Sequence, residues 1–170
     1  MKLVCDTDAL IKLNKAGLLR LLVQRTEILV GHEVWHEAVD AGKAHGYPDA
    51  FEIERLVSPL KRKRLHVPAQ ARALLQSRQL GAGEQEALKL YFSEGAEAIV
   101  SDDRGFLHLL EAHGLPYLTP TAILVWLAEH RVLRPLSRGY QALEKLKPYI
   151  RPGHYEETLK DLQKLERSKP

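Results

Sequence analysis

Two short apolar runs in this 170-residue chain end abruptly in acids: Leu3-Val4-Cys5 empties into Asp6-Thr7-Asp8, and Ala98-Ile99-Val100 into Ser101-Asp102-Asp103. Each run is too short for a helix, and a helix-period pattern follows it at once. Thr26-Glu27-Ile28-Leu29-Val30 and Leu115 to Leu118 alternate with helical segments in the same way. Strands separated by helices cannot pair as hairpins, so the pattern predicts an α/β fold with a parallel sheet covered on both faces. The first half reads as strand 2–6, helix 8–23 broken at Gly17, strand 26–30, and helices 33–43, 48–57 and 68–79, the last opened by Pro68. The second half reads as helix 84–94, strand 97–101, helix 103–113 ended by Gly114, and strand 115–118. An apolar helix then runs from Pro120 or Thr121 to 129, before amphipathic helices at 137–147 and 153–166.

Carboxylates at the carboxyl ends of parallel strands converge on the crevice where open α/β sheets bind ligands. Asp6 and Asp102-Asp103 reach that edge directly. Glu37 closes Val34-Trp35-His36-Glu37 after the second strand and borders the apolar face beside Ala38. In Gly83-Glu84-Gln85-Glu86-Ala87-Leu88, helical phase puts Glu84 on the stripe of Ala87, Leu88 and Tyr91, whereas Glu86 shares a line with Leu90 and Ser93. A carboxylate facing a core needs a partner. A helix N-terminus and a metal ion serve Glu84 equally well. Several acids sharing one crevice repel one another unless a cation joins them. An all-oxygen set selects a hard divalent ion, Mg²⁺ or Mn²⁺.

Length and an ordinary apolar fraction of 45% fit one domain with a buried core. Apolar stretches such as 122–128 are too short to span a bilayer, and residues 1–6 read as a strand, not a signal peptide. The single cysteine, Cys5, excludes an intrachain disulfide and suits a reducing cytoplasm; its place in a strand makes it a core filler. Ten of the 25 Lys/Arg but only five of the 22 Asp/Glu lie beyond residue 130. An acidic body with a basic tail suits a polyanionic substrate, although a solvated helix surface has the same composition. The denser cluster Lys61-Arg62-Lys63-Arg64 is a candidate nucleic-acid contact.

Taken in order, Asp6-Thr7-Asp8-Ala9-Leu10-Ile11, Val34-Trp35-His36-Glu37, Gly83-Glu84-Gln85-Glu86-Ala87-Leu88 and Ser101-Asp102-Asp103-Arg104 resemble the four acidic motifs of the PIN-domain nucleases, in particular the VapC-like toxins and their Gly-Glu-x-Glu-Ala branch. The resemblance spans residues 1–130. It implies a three-layer α/β/α fold around a parallel sheet of four to five strands; residues 131–170, which the resemblance leaves unassigned, read from their charge and helical pattern as a basic C-terminal helical extension packed on or beside it. It further implies a metal-dependent endoribonuclease with Asp6, Glu37, Glu84 and Asp103 as the acidic set. Asp102 is the alternative at the fourth position. Asp8 stands where the family often has Ser or Asn, and its extra charge favours a second metal. The hydroxyls of Thr7 and Ser101 either orient the phosphate or cap helices. The implied partners are RNA, an antitoxin protein and a second copy of the chain. Ile123, Leu124, Trp126 and Leu127 either supply dimer surface or close the core.

Other chemistries share some of these letters. His32-Glu33-Val34-Trp35-His36 spells the His-Glu-x-x-His zinc-protease motif, with Glu52 or Glu54 available as a third ligand. That reading leaves Asp6, Glu84 and Asp103 without a purpose. Asp6-Thr7-Asp8 also resembles the start of haloacid-dehalogenase-type phosphatases, in which the first Asp is a nucleophile. Here the chain goes directly into helix, without the loop residues that chemistry needs. A catalytically silent RNA- or protein-binding module on the same fold is the remaining alternative.

Overall fold

The computed structural model describes residues 1–60, 67–76 and 80–168; the basic cluster 61–64 and the end of the helix expected over 68–79 lie outside them. Among the described residues four strands form one sheet: β1 (Lys2–Cys5), β2 (Glu27–Leu29), β3 (Ala98–Val100) and β4 (Tyr117–Leu118). The order is β2-β1-β3-β4 and every pairing is parallel. The chain moves outward from β1 to β2, then returns to the other side of β1 for β3 and β4. The switch point therefore lies between β1 and β3, where Cys5 pairs with Val100.

Side chains alternate across the sheet and divide the interior in two. Leu3, Cys5, Ala98 and Val100 face one core, while Val4 and Ile99 face the other. The first core is covered by α1 (Thr7–Lys15), α2 (Leu19–Leu22), α5 (Pro48–Leu56), α9 (Pro120–Glu129), α10 (Ser137–Leu146) and α11 (Pro152–Arg167). The second is covered by α6 (Ala69–Leu75), α7 (Ala82–Glu94) and α8 (Arg104–Ala112), whose Phe106 and Leu110 are fully enclosed. Gly17, at φ +72°, makes the expected break between α1 and α2, in a conformation that costs other residues a clash with Cβ. Helix, parallel sheet and helix form the three layers.

Two regions differ in detail from the sequence-based expectation. The helix expected at 33–43 is α3 (His32–Trp35) and α4 (Gly42–Ala44) joined through a π-helical stretch, His36–Ala41, which contains Glu37. Such widened turns hold one residue more than the α-helical repeat and cluster at functional sites. Ile123, Leu124 and Leu127 are fully buried in the first core, and Trp126 packs against it, so this apolar set closes the core. It does not form an exposed patch. The basic helices also belong to that core: Leu143, Leu146 and Leu162 are buried in the same cluster as Leu3 of β1.

Candidate active site

Asp6 is the first residue beyond β1, and its backbone N–H donates to Val100 O (3.1 Å), which fixes it against the end of β3. Its side chain caps α1 by accepting from Ala9 N (2.8 Å) and is 7% exposed. Burial raises its pKa from 3.8 to about 6, with Asp8 adding to the rise; the Ser101 hydroxyl, the Ala9 N–H and Lys12 offset part of it. Asp103 repeats the arrangement one strand over. It caps α8 by accepting from Phe106 N (2.8 Å), and its own N–H donates to the buried Ser101 hydroxyl (3.2 Å). Two helix N-termini thus meet at the switch point, each with a carboxylate on its cap and its dipole favouring negative charge.

Glu37 joins them through Thr7, whose hydroxyl donates to Glu37 Oε2 (2.5 Å). Glu37 is exposed, and it borders a largely apolar pocket of about 470 Å³ between α1, the π-helical stretch and α5. Glu84 acts within its own helix, where it accepts from the N-cap backbone amide of Gly81 (2.7 Å); Gly81 has no side chain to return the bond. The residue of α7 that reaches across the fold is Glu86. Its two oxygens accept from His32 N (2.8 Å) and Glu33 N (2.7 Å), so it caps α3 from 53 positions away. Gly31 makes room for it, because a Cβ there would lie 2.1 Å from Glu86 Oε2.

Asp8 and Asp102 are tied to Lys12. The ammonium lies 2.6 Å from Asp8 Oδ2 and 2.7 Å from Asp102 Oδ2. Burial acts to lower the Lys12 pKa, but the hydrogen bonds to Asp102 and Asp8 outweigh it and the net shift is upward. The other Asp102 oxygen lies 3.6 Å from His154 Nδ1 on α11, and neither atom has a hydrogen-bond partner among the described residues. Sequence reasoning missed Lys12, Glu86 and His154. The spacing of Lys12, four residues after Asp8, was visible; the reach of Glu86 and His154 depends on tertiary packing.

The zinc-protease pair is not completed. His32 starts α3, His36 lies 3.5 Å from Asp40, and no group of three His, Cys, Asp or Glu suited to an ion occurs among the described residues. The same finding means that Asp6, Glu37, Glu84 and Asp103 do not form a closed protein cage. Magnesium rarely needs one; it keeps several waters and binds through one or two carboxylates plus substrate phosphate. An open edge of hard oxygen donors, with a buried Asp6 whose charge is incompletely compensated, fits such an ion.

Fold and site together define an α/β/α protein in which Asp6 and Asp103 follow the adjacent parallel strands β1 and β3 at the sheet's switch point. A PIN-domain family model matches residues 2–164, and the chain belongs to the PIN-domain family. The family has a nuclease-type fold, and its nucleases generally use divalent metal ions. The match extends through α10 and most of α11. No curated protein and no solved structure matched the chain. No helix among the described residues is long and apolar enough to cross a membrane.

Proposed function

We propose that this protein is a metal-dependent endoribonuclease in which Asp6, Glu37 and Asp103 hold the ion, with Glu84 at the rim of the same edge. The observation that carries the reading is Asp6: a buried carboxylate at the switch point, its pKa raised to about 6, whose charge lacks a full counterweight. When bound, Mg²⁺ or Mn²⁺ supplies charge neutralisation on the scissile phosphate and activation of water. The chain's own residues do the positioning. Thr7 fixes Glu37 by donating to one of its oxygens, which leaves the second oxygen for the ion. Ser101 anchors the Asp103 backbone, and the capped N-termini of α1 and α8 hold Asp6 and Asp103 in place while favouring an anionic phosphate. The basic residues beyond 130 favour a polyanionic strand.

Within the family, the four acidic motifs resemble those of the VapC-like toxins, so a toxin–antitoxin role with a protein antitoxin and a homodimeric state is the finer reading. It predicts that an antitoxin blocks cleavage. One observation favours a catalytically silent binding module instead: Lys12 already neutralises two of the crevice acids. The deciding assay incubates the intact chain and Asp6→Asn with mixed RNA and single-stranded DNA in Mn²⁺. The nuclease cleaves RNA and loses that activity in Asp6→Asn. RNA binding without turnover in any divalent ion establishes the silent module.

A further inference from the structure

We propose that Lys12 is the resident cation of this crevice: it occupies the place on Asp8 and Asp102 that a second metal ion would take, so the centre holds one divalent ion. The inference rests on the metal-dependent reading above and narrows it. Two-metal centres bridge carboxylates with ions about 4 Å apart and use one ion on each side of the phosphate. Here Asp6 and Asp102 follow neighbouring strands, β1 and β3, and would be natural ligands for such a pair. Asp102 is already engaged. Its side chain is 4% exposed, and Lys12 Nζ sits at 2.7 Å from one oxygen and 2.6 Å from Asp8.

The contacts distinguish this lysine from an ordinary surface ion pair. The Lys12 side chain is 11% exposed and is clasped by two acids from different elements, one on α1 and one following β3. Surface pairs contribute little because water screens them, and Asp8, 60% exposed and four residues from Lys12 on α1, is such a partner. The Asp102 pair is buried on both sides, so there the ammonium is held firmly and competes with other cations for the same oxygen. An ammonium also has three N–H donors. Two serve Asp8 and Asp102, and a phosphate oxygen in the crevice is a chemically suitable acceptor for the third. Lys12 would then supply, as a fixed charge, part of what a second ion supplies. Asp102 Oδ1 faces His154 Nδ1 at 3.6 Å, which closes its other side against α11. Lys12 is thus a positioning residue for the metal count.

The test counts Mn²⁺ bound per chain, by electron paramagnetic resonance and calorimetry, in the intact protein, Lys12→Met and Lys12→Arg. The expected result is one ion in the intact chain and in Lys12→Arg. Lys12→Met, which frees Asp8 and Asp102, takes up a second ion and shows the broadened resonance of a coupled pair. Two ions in the intact chain overturn the role of Lys12 and leave the metal-dependent nuclease standing. One ion in folded Lys12→Met also overturns it. No ion in the intact chain overturns the nuclease reading, and this inference with it. Should Lys12→Met fail to fold, Asp102→Asn decides: unchanged Mn²⁺ affinity supports the assignment, and a loss of about tenfold or more shows that Asp102 ligates the ion and overturns it.

Discussion

Replacing Asp6 by Asn is expected to stabilise the metal-free protein while removing its activity. The folded-state pKa of Asp6 is raised from 3.8 to about 6, chiefly by burial. Between those values the folded chain holds a proton that the unfolded chain has lost, so stability falls as pH rises through this window. Well below pH 3.8 the group is neutral in both states and imposes no penalty. Above pH 6 the full difference applies: about two pH units, or up to about 3 kcal/mol. Asn cannot ionise, and it caps helices as well as Asp does, so its carbonyl retains the bond from Ala9 N. In EDTA at pH 7, urea denaturation should therefore give Asp6→Asn a free energy higher by up to about 3 kcal/mol, shrinking to within about 1 kcal/mol near pH 3.5. Adding Mn²⁺ at about 100 times its dissociation constant should return about 2.7 kcal/mol to the intact protein and nothing to the variant. A variant equal to or weaker than the intact chain at pH 7, by the same margin as at pH 3.5, would refute the claim that Asp6 is held at a cost in stability for the sake of its charge.

Other substitutions separate structural carboxylates from functional ones. Asp103→Asn keeps the cap on Phe106 N and should change stability by less than about 1 kcal/mol, yet abolish Mn²⁺-dependent RNA cleavage; Asp103→Ala should lose the cap as well, at a further cost of about 1 kcal/mol in thermal denaturation. Gly31→Ala forces its Cβ against the Glu86 carboxylate and should cost about 2 kcal/mol or more by chemical denaturation, since both hydrogen bonds that hold α3 are displaced. Glu84→Ala should cost about 1 kcal/mol through loss of the hydrogen bond from Gly81 N, and its effect on cleavage tells whether Glu84 has any role beyond α7. Phe106→Ala, at the centre of the second core, should cost about 3–5 kcal/mol in the same denaturation assay.

The layered architecture was legible because its cues are local. Runs such as Leu3-Val4-Cys5 and Ala98-Ile99-Val100 are buried on both faces, and Gly17 makes the expected break after α1. The caps of α1, α8 and α9, by contrast, fall to Asp6, Asp103 and Thr119, and the Thr7 and Ser101 hydroxyls cap no helix among the described residues. The π-helical stretch around Glu37 left no such mark, because a widened turn depends on what packs against it. The acids were found, but their roles were not all assigned. Helical phase favoured Glu84 over Glu86, yet the tertiary fold gives Glu84 a local cap and sends Glu86 to α3. Phase shows only which face a side chain shares; it does not show which end of another helix lies within reach. Lys12 was overlooked for a similar reason. A lysine in an amphipathic helix ordinarily faces water, and only the return of β3 beside β1 places Asp102 against it.

A metal-binding crevice at the switch point is tested most directly by a crystal grown or soaked with Mn²⁺ and examined by anomalous scattering. The expected result is a peak at the switch point, about 2.1 Å from an oxygen of Asp6 and coordinated further by Glu37, Asp103 or water. A strong peak on His32 and His36, or a fully occupied ion bound with no contact to Asp6, would contradict it.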